Sequence, residues 1–74
     1  MTTDKYNELR AELNRYCLAN YENGFDVAIE TFNEEDWAYI IGKSKGSFAK
    51  AVDALKYEIA PYLEQREEIE ATAF

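Results

Sequence analysis

The sequence predicts an all-α fold: a small three- or four-helix domain with a long, Pro-kinked C-terminal helix. From residue 47 to about residue 70, apolar residues recur at three- and four-residue steps, as one face of an α-helix requires. Apolar residues make up 47% of the 74 residues, which is enough for one packed core and too many for a disordered chain. We therefore expect a single helical domain over residues 1–74.

The first helix is predicted to begin at Thr2 or Thr3, whose hydroxyl can cap it, with Asp4 in the first turn where the helix dipole favours negative charge. It should end near Tyr21, because the following Asn-Gly pair, ending at Gly24, favours a left-handed C-terminal cap. The lone cysteine lies in the apolar stripe of this helix, so a buried structural thiol is expected rather than a nucleophile. The predicted face consists of Tyr6, Leu9, Leu13, Tyr16, Cys17 and Asn20.

The stretch from Phe25 to Phe32 fits two periodicities. Phe25, Val27 and Ile29 alternate as in a strand, whereas Phe25, Ala28, Ile29 and Phe32 recur as in a helix. A lone strand would have no partner for its backbone hydrogen bonds. We therefore expect a short helix, and a strand paired across a dimer is the alternative.

A third helix is expected after Asn33, which can cap it, with acidic residues in its first turn and Gly42 at its end. Its buried side should consist of Trp37, Ile40 and Ile41.

The long helix should begin at Ser47 and kink at Pro61, whose ring removes one backbone hydrogen bond. Its apolar stripe should pack on the first and third helices and consists of Phe48, Val52, Leu55, Ile59, Tyr62 and Leu63. The predicted core pairs Phe48, Val52, Leu55 and Ile59 with Leu9, Leu13, Ile40 and Ile41.

Charge is strongly unbalanced along the chain. Fifteen acidic residues against eight basic ones give a net charge of -7, which favours basic protein surfaces and opposes nonspecific binding to nucleic acid or anionic membranes. Residues 43–56 contain four lysines and one aspartate, however, and are therefore positively charged.

Several function classes are not expected. The chain has no histidine, no glycine-rich phosphate loop and one cysteine, so we expect no enzyme activity, no cofactor and no metal site. Carboxylate pairs at one-turn spacing, such as Glu64 with Glu68, are typical of solvated helix faces. No secretory leader or apolar run of about 20 residues is evident, so a cytoplasmic protein without membrane contact is expected.

The stretch from residue 22 to residue 36 contains six acidic residues and no basic one, with aromatic residues interleaved. Acids attract a basic surface, and aromatic side chains supply contact area at the centre of an interface. The alternative is that the acids cap helices while the aromatics fill the core. The predicted site for a partner protein with a basic surface comprises Glu30, Glu34, Glu35, Asp36, Trp37 and Tyr39. A homodimer is also expected, because so small a core gains from a partner subunit.

Two resemblances add to this reading. The segment Thr31–Trp37, followed by Gly46, Ser47 and Phe48, resembles small acidic accessory proteins of bacteriophages. That resemblance implies an inhibitor or regulator of a host protein complex, including host defence complexes, acting in the host cytoplasm.

Residues 34–56 also resemble a helix-turn-helix of DNA-binding regulators. Ala38 and Gly42 stand four apart, as the small residue and turn glycine of that motif do, and Phe48 matches the apolar residue of its second helix. This resemblance implies the alternative function, a transcriptional regulator whose DNA contacts would be Lys43, Lys45, Ser47 and Lys50.

Overall fold

The computed structural model describes the backbone of residues 1–72 and the side chains of residues 1–69. It is all-α, as predicted, and the last two residues of the predicted domain, 73–74, lie outside the described residues. Among the described residues there are four α-helices and one short 3₁₀ turn, at residues 21–23. The helices are α1 (Thr3–Ala19), α2 (Asp26–Thr31), α3 (Glu34–Ser44) and α4 (Phe48–Thr72).

Helix α1 begins as predicted and ends two residues earlier than predicted. The Thr2 hydroxyl accepts a hydrogen bond from the Lys5 N–H at 3.2 Å. At the other end, the Asn20 side chain donates to the Tyr16 carbonyl at 2.9 Å and the helix stops at Ala19. Gly24, with φ +98°, therefore closes the 3₁₀ turn instead of α1.

The ambiguous segment is a helix, so the strand alternative is wrong. Helix α2 has only six residues, and Val27 and Ala28 are buried. Phe25, just before it, is also buried and packs edge-on against Tyr16 with ring centroids 5.1 Å apart. Burial of these side chains holds a helix that would be too short to be stable alone.

Helix α3 begins with the capping arrangement that the sequence indicates. The Asn33 side chain accepts a hydrogen bond from the Asp36 N–H at 2.9 Å, and the Asp36 carboxylate accepts one from the Asn33 N–H at 3.0 Å. This reciprocal pair satisfies two backbone donors that the helix itself leaves unpaired.

The predicted end of α3 at Gly42 is wrong, because the helix continues to Ser44. The buried Ser44 hydroxyl donates to the Ile41 carbonyl at 2.6 Å and accepts from the Gly46 N–H at 3.3 Å. Lys45 and Gly46 then both adopt positive φ and reverse the chain toward α4. Local hydrogen bonds, rather than the first available glycine, therefore set this boundary.

The core forms where α1, α2 and α3 pack on α4, and the predicted pairing is confirmed for seven of its eight residues: Leu9, Leu13, Ile40, Ile41, Val52, Leu55 and Ile59 are buried. Phe48 is the exception, and its prediction as a core residue is wrong. Its side chain is 37% exposed and meets Tyr16 edge-on at 5.9 Å, because the first turn of α4 lies at the margin of the helix packing.

Helix α4 continues through Pro61, and the kink predicted there stays a prediction. At 1.5 Å per residue, α4 is about 37 Å long and α3 about 16 Å, so the apolar stripe of α4 extends past α3. Beyond that point Arg66 holds the Asp26 carboxylate through two hydrogen bonds of 3.0 and 3.3 Å, which tie α4 to α2. No helix in the described part of the chain has the length and apolar character needed to cross a membrane.

Candidate protein-binding surface

The predicted acidic and aromatic site residues do not share one face of the molecule. Glu34 lies on the side of α3 that faces α1, with its carboxylate 3.7 Å from the Arg10 guanidinium. Trp37 is only 2% exposed, and the same guanidinium covers its ring at 4.1 Å from the centroid. We therefore remove Trp37 from the candidate contact surface, because its ring belongs to the core, as its position on the buried side of α3 predicts.

Asp36 and Tyr39 lie on the opposite side of α3, where they border a cleft against α4. We call it the α3–α4 cleft, and it is lined by Phe32, Asp36, Tyr39, Ile40, Glu58 and Tyr62. Tyr39 and Tyr62 remain 52% and 48% exposed. The cleft volume is about 60 Å³, far below the ~300 Å³ or more of typical small-molecule sites. It can hold the end of one side chain, but not a metabolite.

The two acidic residues nearest the cleft on α3 have different structural roles. Asp36 is already engaged in the capping pair with Asn33. Glu35 is exposed and has no hydrogen bond or ion pair within residues 1–69. Because it lies four residues before Tyr39, its carboxylate emerges one helical turn away from that ring. Glu35 can therefore be changed without removing a structural contact, whereas Asp36 cannot.

A lysine of the chain itself lies at the rim of the cleft. The Lys43 ammonium is 5.0 Å from the centroid of the Tyr39 ring, within the range of a cation–π interaction. The neighbouring Tyr39 side chain raises the pKa of Lys43 above the ordinary lysine value, and the charge of Glu58 raises it further. One of the rings that line the cleft is therefore already in contact with a cation.

Glu30 belongs to a neighbouring depression between α2 and α4. Its carboxylate accepts a hydrogen bond of 2.5 Å from the Tyr21 hydroxyl, which raises the pKa of Tyr21. The depression is open and shallow and is lined by Val27, Glu30, Thr31, Tyr62, Gln65, Arg66 and Ile69. Tyr62 lines both features, so the cleft and the depression form one continuous surface along α4.

The four candidate DNA-contacting residues are also divided. Lys45 and Lys50 are exposed, whereas the half-buried Ser47 caps α4 by accepting a hydrogen bond from the Lys50 N–H at 3.3 Å. Lys43 lies against Tyr39 at the cleft, as described above. Three of the four side chains are thus exposed, and of these only Lys45 and Lys50 do not lie over the Tyr39 ring.

Sequence reasoning missed Glu58 and Tyr62 as site residues. Both lie on α4, four residues apart and so on one side of the helix, and both reach the cleft from the side opposite Tyr39. Tyr62 was assigned to the apolar core stripe, but at its position α4 has passed the end of α3 and half of its ring is uncovered. The sequence did carry a signal for this, because the apolar stripe on α4 is longer than α3, the helix that packs against it, so part of the stripe has to remain uncovered.

Metal-ligand groups and the single cysteine are the remaining candidates for chemistry among the described residues. Within them, no group of three or more His, Cys, Asp or Glu side chains is placed to hold a metal ion. Cys17 is fully buried, and this burial raises the pKa of its thiol to about 11, so it is not a thiolate nucleophile. No protein-family model, curated protein or solved structure matches the chain. A proposal of function therefore rests on the residues of this chain.

Proposed function

We propose that this protein is a non-enzymatic protein-binding module that contacts a basic surface of another protein through the α3–α4 cleft. The main support is that two half-exposed tyrosines, Tyr39 and Tyr62, share one cleft with the carboxylates Asp36 and Glu58. Tyrosine supplies a large contact area at a low entropic cost, and neighbouring carboxylates select a cationic partner.

The overall charge supports the same class of partner. A net charge of -7 on 74 residues attracts basic proteins over distances comparable to the Debye length, about 8–10 Å at ordinary salt concentrations. The resemblance to acidic bacteriophage accessory proteins supports a host protein complex as the target, with inhibition or regulation as the outcome, in the host cytoplasm.

The proposal can be tested with a fluorescein-labelled peptide of alternating arginine and glycine residues, followed by fluorescence anisotropy. The double variant Glu35→Gln/Glu58→Gln removes two carboxylates beside the cleft and leaves the capping residue Asp36 in place. We expect it to bind the peptide about tenfold more weakly than the unchanged protein, which corresponds to about 1.4 kcal/mol.

The matched control is Glu8→Gln/Glu22→Gln, which changes the net charge equally at exposed positions that do not line the cleft. Its affinity should fall clearly less. If both double variants weaken binding equally, only net charge attracts the peptide, and the proposed surface is refuted.

A DNA-binding regulator is the alternative function. It is favoured by the short turn between α3 and α4 and by the exposed side chains of Lys45 and Lys50. Anisotropy of a labelled random DNA duplex at low and then higher salt tests it. Binding that weakens steeply with salt, and that is lost in Lys45→Gln/Lys50→Gln, would favour the alternative. An absence of binding even at low salt would argue against it.

Homodimer formation is a further proposal, independent of the partner. The core of a 74-residue chain is small and gains from a partner subunit, and a second copy would cover Tyr57 on α4, which is 77% exposed. Sedimentation velocity over a wide concentration range tests the proposal. A single monomeric species at every concentration would contradict it.

A further inference from the structure

We infer that the α3–α4 cleft is a socket for one cationic side chain of the partner, and specifically for an arginine. The inference rests on the proposed function and specifies which chemical group of the partner enters the site. It assigns the contact to a single guanidinium held by the rings of Tyr39 and Tyr62 and by the carboxylates of Asp36 and Glu58.

The lining of the cleft matches a planar cation. Aromatic side chains come from both sides, with Phe32 and Tyr39 on one and Tyr62 from α4 on the other, and one carboxylate comes from each side. The negative face of an aromatic ring attracts a cation, and a carboxylate accepts two parallel hydrogen bonds from a guanidinium. An apolar ligand would cover the Glu58 carboxylate without giving it a partner, and an anion would be repelled by both carboxylates.

The size of the cleft limits its occupant to the end of a side chain. Its volume of about 60 Å³ is that of roughly two water molecules at ~30 Å³ each. A guanidinium has four heavy atoms in one plane, which suits a narrow space between rings. Arginine is favoured over lysine because it is more weakly hydrated, stacks on aromatic faces and binds carboxylates through two donors at once.

The chain itself shows that its aromatic rings attract cations. Arg10 covers Trp37 at 4.1 Å, and Lys43 lies 5.0 Å from the centroid of Tyr39 at the rim of the cleft. Lys43 is exposed, and its ammonium already lies over the Tyr39 ring to which we assign the arginine contact. It therefore acts as an internal competitor for part of the socket.

This competition gives a prediction that a general acidic surface does not make. Removing an exposed lysine from an acidic protein raises the affinity for any basic ligand slightly, through the net charge alone. Lys43→Met should raise it about two- to fivefold, because the Tyr39 ring is also released. Lys5→Met is the matched control, since Lys5 is also exposed but lies on α1 and not over the Tyr39 ring.

The test uses the pentapeptide acetyl-Gly-Gly-Arg-Gly-Gly-amide, titrated into ¹⁵N-labelled protein and followed by two-dimensional NMR. A peptide with citrulline in place of arginine has nearly the same shape without the charge. We expect saturable shifts at residues lining the cleft with the arginine peptide, and binding at least tenfold weaker with the citrulline peptide. Tyr62→Leu should weaken binding of the arginine peptide. Circular dichroism of this variant checks that the substitution, at a half-exposed position, leaves the helical fold intact.

Three results would overturn the socket. They are equal binding of the two peptides, shifts confined to residues away from the cleft, and an affinity for Lys43→Met no higher than that for Lys5→Met. The proposed function fails separately. If the long arginine–glycine peptide still requires Glu35 and Glu58 while Tyr62→Leu has no effect, the acidic surface stands and the socket is refuted. If neither the long nor the short peptide binds, both are refuted.

Discussion

Leu55→Ala tests the packing on which every other assignment depends. Leu55 is 0% exposed and lies in the middle of the core, on the face of α4 that meets α1 and α3. Truncation removes three buried carbon atoms and leaves a cavity, so the free energy of unfolding should fall by about 2–5 kcal/mol. A chain of 74 residues has a total stability of about 4–11 kcal/mol, so the variant should lose a large share of it.

The assay is urea unfolding followed by circular dichroism and by the fluorescence of Trp37, whose buried ring reports exposure of the core. Tyr57→Ala is the matched control, because it lies two residues away on the same helix and is 77% exposed. Its stability should change by no more than about 0.5 kcal/mol. A loss below about 1 kcal/mol for Leu55→Ala, or an equal loss in both variants, would show that α4 does not pack on this face.

Three further changes test local features. Gly24→Ala should destabilise the fold by about 1–3 kcal/mol in urea unfolding, because φ is +98° and the new Cβ would lie 2.9 Å from Leu63. Its control, Gly42→Ala, places a Cβ with nothing within 4 Å and should stabilise the fold by about 0.5–1 kcal/mol. Equal effects of the two substitutions would contradict this prediction. Asn33→Ala should cost about 0.5–2 kcal/mol in the same assay by removing the cap of α3, and an unchanged stability would contradict that role. Hydrogen bonds from Arg66 on α4 lower the pKa of Asp26 in the folded protein. The pair therefore stabilises the fold fully above the unfolded pKa of Asp26, about 3.9, and this contribution is lost as pH falls through the lower, folded pKa. Asp26→Asn should therefore lose less stability than the unchanged protein between about pH 5 and pH 2, and parallel losses would refute the linkage.

The helices and most of the core could be predicted because they depend on local signals. Periodicity placed Leu55 and Ile59 in the core, and Asn33 followed by three acids marked the start of α3, as the structure confirms. The errors occurred where nonlocal packing decides. Phe48 fits the stripe by periodicity, but no sequence signal shows that the first turn of α4 lies at the margin of the core.

The candidate site was only half predictable for the same reason. Asp36 and Tyr39 were found because they are close in sequence, whereas Glu58 and Tyr62 come from a different helix and meet them only after α3 and α4 pack. Glu34 and Trp37 are adjacent to the true cleft residues in sequence but lie on other sides of α3. Acidic residues that are clustered in the sequence therefore lie on the same helix, but the 3.6-residue period places them on different sides of it.

The acidic residues of the chain consequently have different structural roles. Asp36 completes a helix cap, Asp26 binds Arg66, and Glu34 pairs with Arg10, so each of these three carboxylates has a structural partner within the protein. Of the three, only Asp36 lines the α3–α4 cleft, where the carboxylate oxygen that does not accept from the Asn33 N–H remains for a cation. Glu35 has no such partner among residues 1–69, and Glu58 shares the cleft with two exposed tyrosines. The carboxylates without an internal partner are thus fewer than the net charge indicates. Their position beside Tyr39 and Tyr62 favours the proposed insertion of a single cation over contact with a broad basic patch.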